Sequence, residues 1–130
     1  MKLDNPRLEV RYVDDPESLK ALIEALGSVE VIGLDAERAS GFRYSHRAYL
    51  IQIAIQDVAI YLVDPEGFEG DQWAKELGSA MAKTTWILHA ATQDLPCLAE
   101  LGIRPTSLID TELAARLAGL ERFGLASLAE

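Results

Sequence analysis

Residues 31–40 have the sequence VIGLDAERAS, in which an apolar run is followed at once by two acids. Val31 to Leu34 are typical of a buried β-strand, and Asp35 and Glu37 lie at its end. Side chains alternate along a strand, so the two carboxylates are expected on the same face. Like charges repel there, and one is expected to become neutral unless a cation lies between them. This strand end is therefore a candidate cation site.

The segments around this strand predict a mixed sheet with helices packed on it. Residues 49–55 (YLIQIAI) and 59–64 (AIYLVD) are β runs joined by the short turn QDV, and with residues 29–36 they predict an antiparallel meander. Further strands are predicted in residues 7–13, 84–90 and at the start of SLIDTELAARLAGL, and helices in residues 14–27, 71–82, 92–102 and in the rest of that last segment. The order β-α-β-β-β-α-β-α-β-α indicates an α/β protein.

The predicted helices have recognisable end signals. Asp14 or Asp15 is expected to cap the first helix, and Asp71 the second. Pro96 is expected near the first turn of the third helix, where a missing backbone N–H costs little.

The composition favours one globular domain. The chain has 130 residues, of which 49% are hydrophobic, and a formal net charge of −9. A broad basic surface for nucleic acid is not expected, although metal ions at an acidic site can neutralise phosphates. No apolar run approaches the about 20 residues of a membrane helix, so no membrane partner is expected. Cys97 is the single cysteine, which favours a reducing, cytoplasmic location, and it is expected in the core.

A basic segment follows the two acids directly. Residues 38–47, RASGFRYSHR, contain Arg38, Arg43, Arg47 and His46 and no acid. Such a segment is either a solvated loop or a patch that steers phosphates toward the neighbouring acidic site. Charge alone does not separate these interpretations.

A third carboxylate, Asp94, is predicted near the start of a helix that follows an apolar strand. By itself it is typical of an acid stabilised by the helix dipole, and His89 at the strand end is typical of a structural histidine. Together, Asp35, Glu37 and Asp94 are able to converge on one point, which is costly unless metal is bound. Oxygen ligands favour Mg²⁺ or Mn²⁺, and paired ions of this kind support attack on a phosphodiester. The sequence has no P-loop, dinucleotide-binding glycine motif or zinc-ligand spacing.

Four segments of the chain resemble the DEDD 3′-5′ exonuclease family, and within it the ribonuclease D branch. IGLDAERAS resembles the first motif, and YSHRAYLIQIAI resembles the stretch after it. ILHAATQDLPCL resembles the second motif, and LIDTELAARLAG with FGLASL resembles the segment that follows. The resemblance extends over nearly the whole chain.

The resemblance implies a ribonuclease H-like mixed sheet of about five strands, three antiparallel and then parallel strands, flanked by helices. It implies that Asp35, Glu37 and Asp94 hold two divalent ions, Mg²⁺ or Mn²⁺, for removal of nucleoside 5′-monophosphates from RNA 3′ ends. It places His89 near the RNA 3′ end. The loop containing Arg38, Arg43 and Arg47 is implied to lie there as well.

One feature of the family is not found. The family has a fourth aspartate with Tyr or His four residues before it, whereas the last aspartate here, Asp110, has Thr106 at that position. We therefore interpret Asp110 as a helix cap. We expect residues 1–130 to be a single exonuclease domain that lacks its C-terminal part, and this chain alone to be inactive. Surface left exposed by the missing part is expected to drive self-association.

The function expected from the resemblance is exoribonuclease action on tRNA or another structured RNA precursor. Exonuclease action on DNA is an alternative, since contacts to the 2′-OH cannot be assigned from the sequence. A non-catalytic nucleic-acid-binding module of the same fold is a further alternative. Intact Asp35, Glu37 and Asp94 favour the enzyme.

Overall fold

The computed structural model describes residues 8–38, 49–89 and 91–112, with side chains except at Glu37, Arg38, Tyr49 and residues 91–94. The elements in chain order are β1 (Glu9–Val13), α1 (Pro16–Leu26), β2 (Val31–Arg38), β3 (Tyr49–Ile55), β4 (Ala59–Val63), a 3₁₀ turn (Pro65–Gly67), α2 (Gln72–Met81), β5 (Thr85–Leu88), α3 (Ala91–Glu100) and β6 (Ser107–Asp110). None of the helices in these ranges is long and apolar enough to cross a bilayer.

The strands form one mixed sheet in the order β1-β4-β3-β2-β5-β6. β2, β3 and β4 pair antiparallel, which confirms the predicted meander. β5 runs parallel to β2, and β6 runs parallel to β5. The described sheet has six strands rather than the about five implied by the resemblance, because β1 pairs parallel with β4 at one edge.

The helices lie on one face of this sheet. Each helix connects two parallel strands, in the units β1–α1–β2, β4–α2–β5 and β5–α3–β6. In every unit the strand after the helix lies nearer to the β6 edge of the sheet than the strand before it. Such connections are right-handed almost without exception, so all these helices are placed on the same side. We call this side the packed face; its buried strand residues are Ile32, Leu34, Ala36, Ile51, Ile53, Ile55, Ala59, Tyr61, Val63, Trp86 and Leu88.

Apolar stripes on the helices meet the packed face. Leu22 and Leu26 of α1, Leu77 of α2 and Leu98 of α3 are essentially inaccessible and belong to the same core as the strand residues. Cys97 is buried, as predicted.

The other side of the sheet, here called the open face, displays the alternate strand residues. Its larger apolar members are well exposed, as the values for Val10 (44%), Tyr12 (69%), Val31 (45%) and Ile109 (48%) show. None of the described helices packs on this face, so these side chains have no apolar cover among the described residues.

Asp15 caps α1. Its carboxylate accepts a hydrogen bond of 2.7 Å from the Ser18 amide, and the Ser18 hydroxyl accepts one of 3.2 Å from the Asp15 amide. Asp71 precedes α2 as predicted, but its carboxylate makes no capping bond and lies 3.8 Å from Lys75 Nζ. Pro96 lies inside α3 rather than near its first turn, since the helix begins at Ala91.

Candidate active site at the carboxyl ends of the parallel strands

Asp35 is exposed on the open face of β2, between the buried residues Leu34 and Ala36. The fully buried strand that the sequence predicts here is wrong, because β2 is buried on the packed face only and Val31, on the open face, is 45% exposed. Asp35 lies opposite Gln52 of β3, and the backbone of Glu37 lies opposite Leu50. Glu37 is two residues along the same strand, so its Cβ is on the same face as that of Asp35; the position of its carboxylate lies outside the described residues.

The parallel strands bring two further segments to the level of Asp35. The β2–β5 register pairs Gly33 with Ile87, so its continuation by two residues places His89 beside Asp35. The β5–β6 register pairs Leu88 with Asp110, which places Thr111 beside His89. Carboxyl ends of parallel strands are where α/β folds position binding residues. Asp35, His89 and Thr111 therefore lie side by side on neighbouring strands, at the level where β5 and β6 end.

His89 is held by residues that follow β6. Its Nδ1 is 2.9 Å from Thr111 Oγ1, and its Nε2 is 3.6 Å from Glu112 Oε2. The Thr111 hydroxyl in turn donates to the carbonyl of Leu88 at 3.3 Å. The His89 and Glu112 side chains are 14% and 27% exposed, so the contact is partly shielded from solvent.

The interpretation of Asp110 as a helix cap is supported. Its carboxylate accepts a 2.9 Å hydrogen bond from the amide of Glu112, at the start of the helical turn that follows β6. Capping bonds of this kind satisfy amides that have no partner within the helix.

The other predicted site residues are placed only in part. Asp94 belongs to α3, which begins two residues after His89, but its side chain lies outside the described residues. Arg38 ends β2 with its side chain likewise undescribed, and Arg43 and Arg47 lie outside the described residues. Convergence of Asp35, Glu37 and Asp94 therefore stays a prediction.

Asp35 fits the metal chemistry predicted for it. It is exposed on β2, three residues before the strand ends, and no hydrogen bond or ion pair joins its side chain to another described residue. Hard oxygen donors of this kind suit Mg²⁺ or Mn²⁺. Within the ranges whose side chains are described, no three acids, histidines or cysteines group as a metal site, and that search includes neither Glu37 nor Asp94.

Two cavities lined by described residues lie away from Asp35. One of about 510 Å³ is lined by Phe68, Trp73 and Leu101, among others, and a groove of about 770 Å³ runs between α1 and α2. Leu101 follows the C-terminus of α3, about 15 Å along the helix from the end nearest His89. The candidate site is therefore identified by its carboxylate chemistry, and it lies on the open face near the carboxyl ends of β5 and β6.

Sequence reasoning missed Thr111 and Glu112 as partners of His89. Thr111 is 22 residues from His89 in sequence, and their contact depends on the register of β5 and β6. The available signal was the polar triplet Asp-Thr-Glu at 110–112, directly after an apolar strand.

The sequence is similar to a known protein family and to a ribonuclease D. The sequence profile of a family described as 3′-5′ exonuclease matches residues 10–130. A ribonuclease D of Desulfotalea psychrophila is 34% identical over 110 residues, which are 82% of this chain and 29% of the relative.

Solved structures show the same similarity. A protein from Bifidobacterium adolescentis is 36% identical, with a TM-score of 0.78 over 95% of this chain and 32% of the other. Escherichia coli RNase D, described as an exoribonuclease involved in structured RNA processing, is 26% identical, with a TM-score of 0.76 over 93% of this chain and 32% of the other. The chain thus spans about a third of the length of these proteins.

Proposed function

Because this chain belongs to the 3′-5′ exonuclease family and is of the ribonuclease D type, we propose that it contributes the metal-binding face of an exoribonuclease that removes nucleoside 5′-monophosphates from RNA 3′ ends. The observation that supports this most directly is the Asp35 residue, exposed on β2 three residues before that strand ends at Arg38 and level with the carboxyl ends of β5 and β6. We treat residues 1–130 as part of one exonuclease domain, of which the family profile matches residues 10–130.

In the proposed mechanism, Asp35, Glu37 and Asp94 hold two divalent ions, Mg²⁺ or Mn²⁺. When bound, such ions supply positive charge for the attack of water on the phosphodiester and for departure of the 3′ oxygen. Asp35 and Glu37 come from one strand, and the pairing of both residues with β3 fixes the backbone at these two positions. Asp94 comes from α3, so the site depends on how the turn after β5 sets the start of that helix.

The proposed substrate is the single-stranded 3′ end of a structured RNA such as a tRNA precursor. The Escherichia coli relative is described as acting in structured RNA processing. Arg38, Arg43 and Arg47 are the proposed contacts to its phosphates, and His89, which the resemblance also places near the RNA 3′ end, is an alternative contact. A 3′ end of DNA is the alternative substrate, and a binding module without turnover is the alternative class. Paired 3′-labelled RNA and DNA oligonucleotides distinguish the substrates in a binding assay.

The test is calorimetric titration of the chain with Mn²⁺, beside an Asp35→Asn variant. Asp57→Asn is the matched control. Asp57 lies in the β3–β4 turn, near the opposite ends of the strands, and its positive φ of 63° suits asparagine. We expect saturable binding that Asp35→Asn abolishes and Asp57→Asn leaves intact. Equal binding by all three proteins would contradict a metal site at Asp35.

We also propose that the chain self-associates through the open face, with a second copy as the partner. The supporting observation is the exposure of Val10, Tyr12, Val31 and Ile109 on one side of the sheet. Exposed apolar patches favour association, and a patch that meets its own copy closes a symmetric dimer. Sedimentation should show a mass above that of the monomer, reduced by Tyr12→Lys. A monodisperse monomer that binds no apolar dye would contradict this.

A cytoplasmic location completes the proposal. Its support is the single cysteine, Cys97, which is buried. Fractionation of the native host with an antibody to the protein tests it, and recovery from the periplasm or medium would contradict it.

A further inference from the structure

His89 has contacts on both sides of its ring that binding of RNA does not require. Nδ1 lies 2.9 Å from Thr111 Oγ1, and Nε2 lies 3.6 Å from Glu112 Oε2. Both partners come from the segment that follows β6, at the far side of β5 from Asp35. The ring therefore connects two segments that are 22 residues apart in sequence.

The direction of these hydrogen bonds follows from the number of protons available. The Thr111 hydroxyl has one proton, which it donates to the Leu88 carbonyl at 3.3 Å. It is then an acceptor toward His89, so Nδ1 of the ring is the donor. Nε2 is left facing the Glu112 carboxylate. The ring orientation is thereby specified by Thr111, with Glu112 beside the other nitrogen.

This connection lies at the point that sets the start of α3. Leu88 is the last residue of β5, and α3 begins at Ala91, so the turn between them is short. The bond from Thr111 to the Leu88 carbonyl and the contacts of His89 fix both residues at the beginning of that turn. Any change in the turn moves the first residues of α3, including the backbone of Asp94, relative to Asp35 on β2.

We propose that His89, held by Thr111 and Glu112, is a positioning residue that fixes the start of α3 with respect to Asp35 and so sets the geometry of the metal site. This inference rests on the proposed function, because it assumes that Asp35 and Asp94 share a metal site. It assigns Thr111 and Glu112 a role through His89, without contact to substrate.

The experiment compares Thr111→Val with Thr111→Ser in the full chain. Valine has the shape of threonine without its hydroxyl, whereas serine keeps the hydroxyl. Ile55→Val, a buried change in β3 at the opposite end of the sheet, is a control for loss of stability alone. Each protein is melted without metal and then titrated with Mn²⁺ by calorimetry.

We expect Thr111→Val to bind Mn²⁺ about 10-fold to 100-fold more weakly, the range typical for partners that orient metal ligands. Thr111→Ser and Ile55→Val should bind as the unmodified chain does. Equal affinity in the unmodified chain and Thr111→Val would overturn the positioning role and leave the proposed function standing. A comparable loss in Ile55→Val would also overturn it, because stability alone would then account for the effect. Absence of binding in the unmodified chain would overturn the metal site itself.

A second measurement separates positioning from direct contact with RNA. A short RNA is titrated against the chain and His89→Asn in the presence of a chelator. The asparagine amide retains a donor near the Nδ1 position but lacks a group that reaches Glu112. Positioning predicts equal RNA affinity for both proteins without metal. Weaker RNA binding by His89→Asn, with unchanged Mn²⁺ affinity, would overturn it in favour of a substrate contact.

Discussion

The two faces of the sheet are made by the same strands but differ in what surrounds them. On the packed face, Ile53 and Trp86 are inaccessible beneath the helices. On the open face, Tyr12 is 69% exposed and Asp35 of β2 is exposed as well. A single strand therefore contributes alternately to a core and to a surface.

The packed face mainly stabilises the fold, whereas the open face carries the groups that are available for binding and chemistry. Burial against helices removes apolar area from water, which is the main favourable contribution to folding. The open face contributes little of this kind among the described residues, but it is accessible to ions and to a nucleic acid strand. Substitutions on the two faces should therefore change different measurements.

The largest expected difference in stability is between two single substitutions, Trp86→Ala on the packed face and Tyr12→Ala on the open face. Trp86 is fully buried, and its Nε1 donates to the Met81 carbonyl at 3.0 Å. Its loss should lower the free energy of unfolding by about 3–5 kcal/mol. At a protein concentration low enough to keep the chain monomeric, Tyr12→Ala should change it by no more than about 0.5 kcal/mol, since most of that side chain is then in water. Urea unfolding measures both values, and equal losses would show that Tyr12 is covered in solution.

A smaller effect on stability is expected from the cap of α1, one of the helices that cover the packed face. Asp15→Ala removes the capping bonds of α1, and the melting temperature should fall by about 3–5 °C. Asp71→Ala is the matched comparison, because Asp71 precedes α2 without a capping bond, and its effect should be smaller. Differential scanning calorimetry checks both. A larger effect at Asp71 would contradict the observed cap geometry.

The contribution of this cap should depend on pH. Hydrogen bonding from Ser18, through its side chain and then its backbone amide, lowers the pKa of the exposed Asp15 carboxyl. The lower folded-state pKa means that the stabilisation is present above the ordinary carboxyl value of about 3.9 and is lost as the pH falls through the folded-state value. The difference in melting temperature between Asp15→Ala and the unmodified chain should therefore be constant near neutral pH and shrink in acid. A difference that grew in acid would contradict the cap.

The smallest effect on stability is expected from Ile109→Thr on the open face. Ile109 is 48% exposed, and threonine keeps the branched side chain that suits a strand. The free energy of unfolding should change by less than about 0.5 kcal/mol. Binding of an apolar dye should nevertheless decrease, because the substitution removes exposed apolar surface. Unchanged dye binding together with a large loss of stability would contradict an open face.

The packed face could be predicted from the sequence because periodicity reports burial. Alternation of Ile51, Ile53 and Ile55 with Gln52 predicts the central strand and the face it buries, and the structure confirms both. Alternation also predicts that Asp35 and Glu37 share a face of β2, but the exposure of that face, where Val31 is 45% exposed, was not predicted. These predictions need only local information.

Other features could not be predicted locally. The contact of His89 with Thr111 depends on the β5–β6 register, which no short segment specifies. Asp71 has the residue type of a cap, but its backbone (φ −122°, ψ 0°) is not extended, and its carboxylate lies near Lys75 instead. Position in the fold, rather than residue type, decides such contacts.

The most direct test of the metal site is the broadening of backbone amide signals by Mn²⁺ in an NMR spectrum of the isotope-labelled chain. The proposed site predicts that substoichiometric Mn²⁺ broadens the amides of Asp35, His89 and Thr111 first, since these lie together at the carboxyl ends of the parallel strands. Asp57 and Gly70, in turns away from that edge, should stay sharp. Selective broadening around Asp57 or near Asp71, with Asp35 unaffected, would contradict a metal site on the open face.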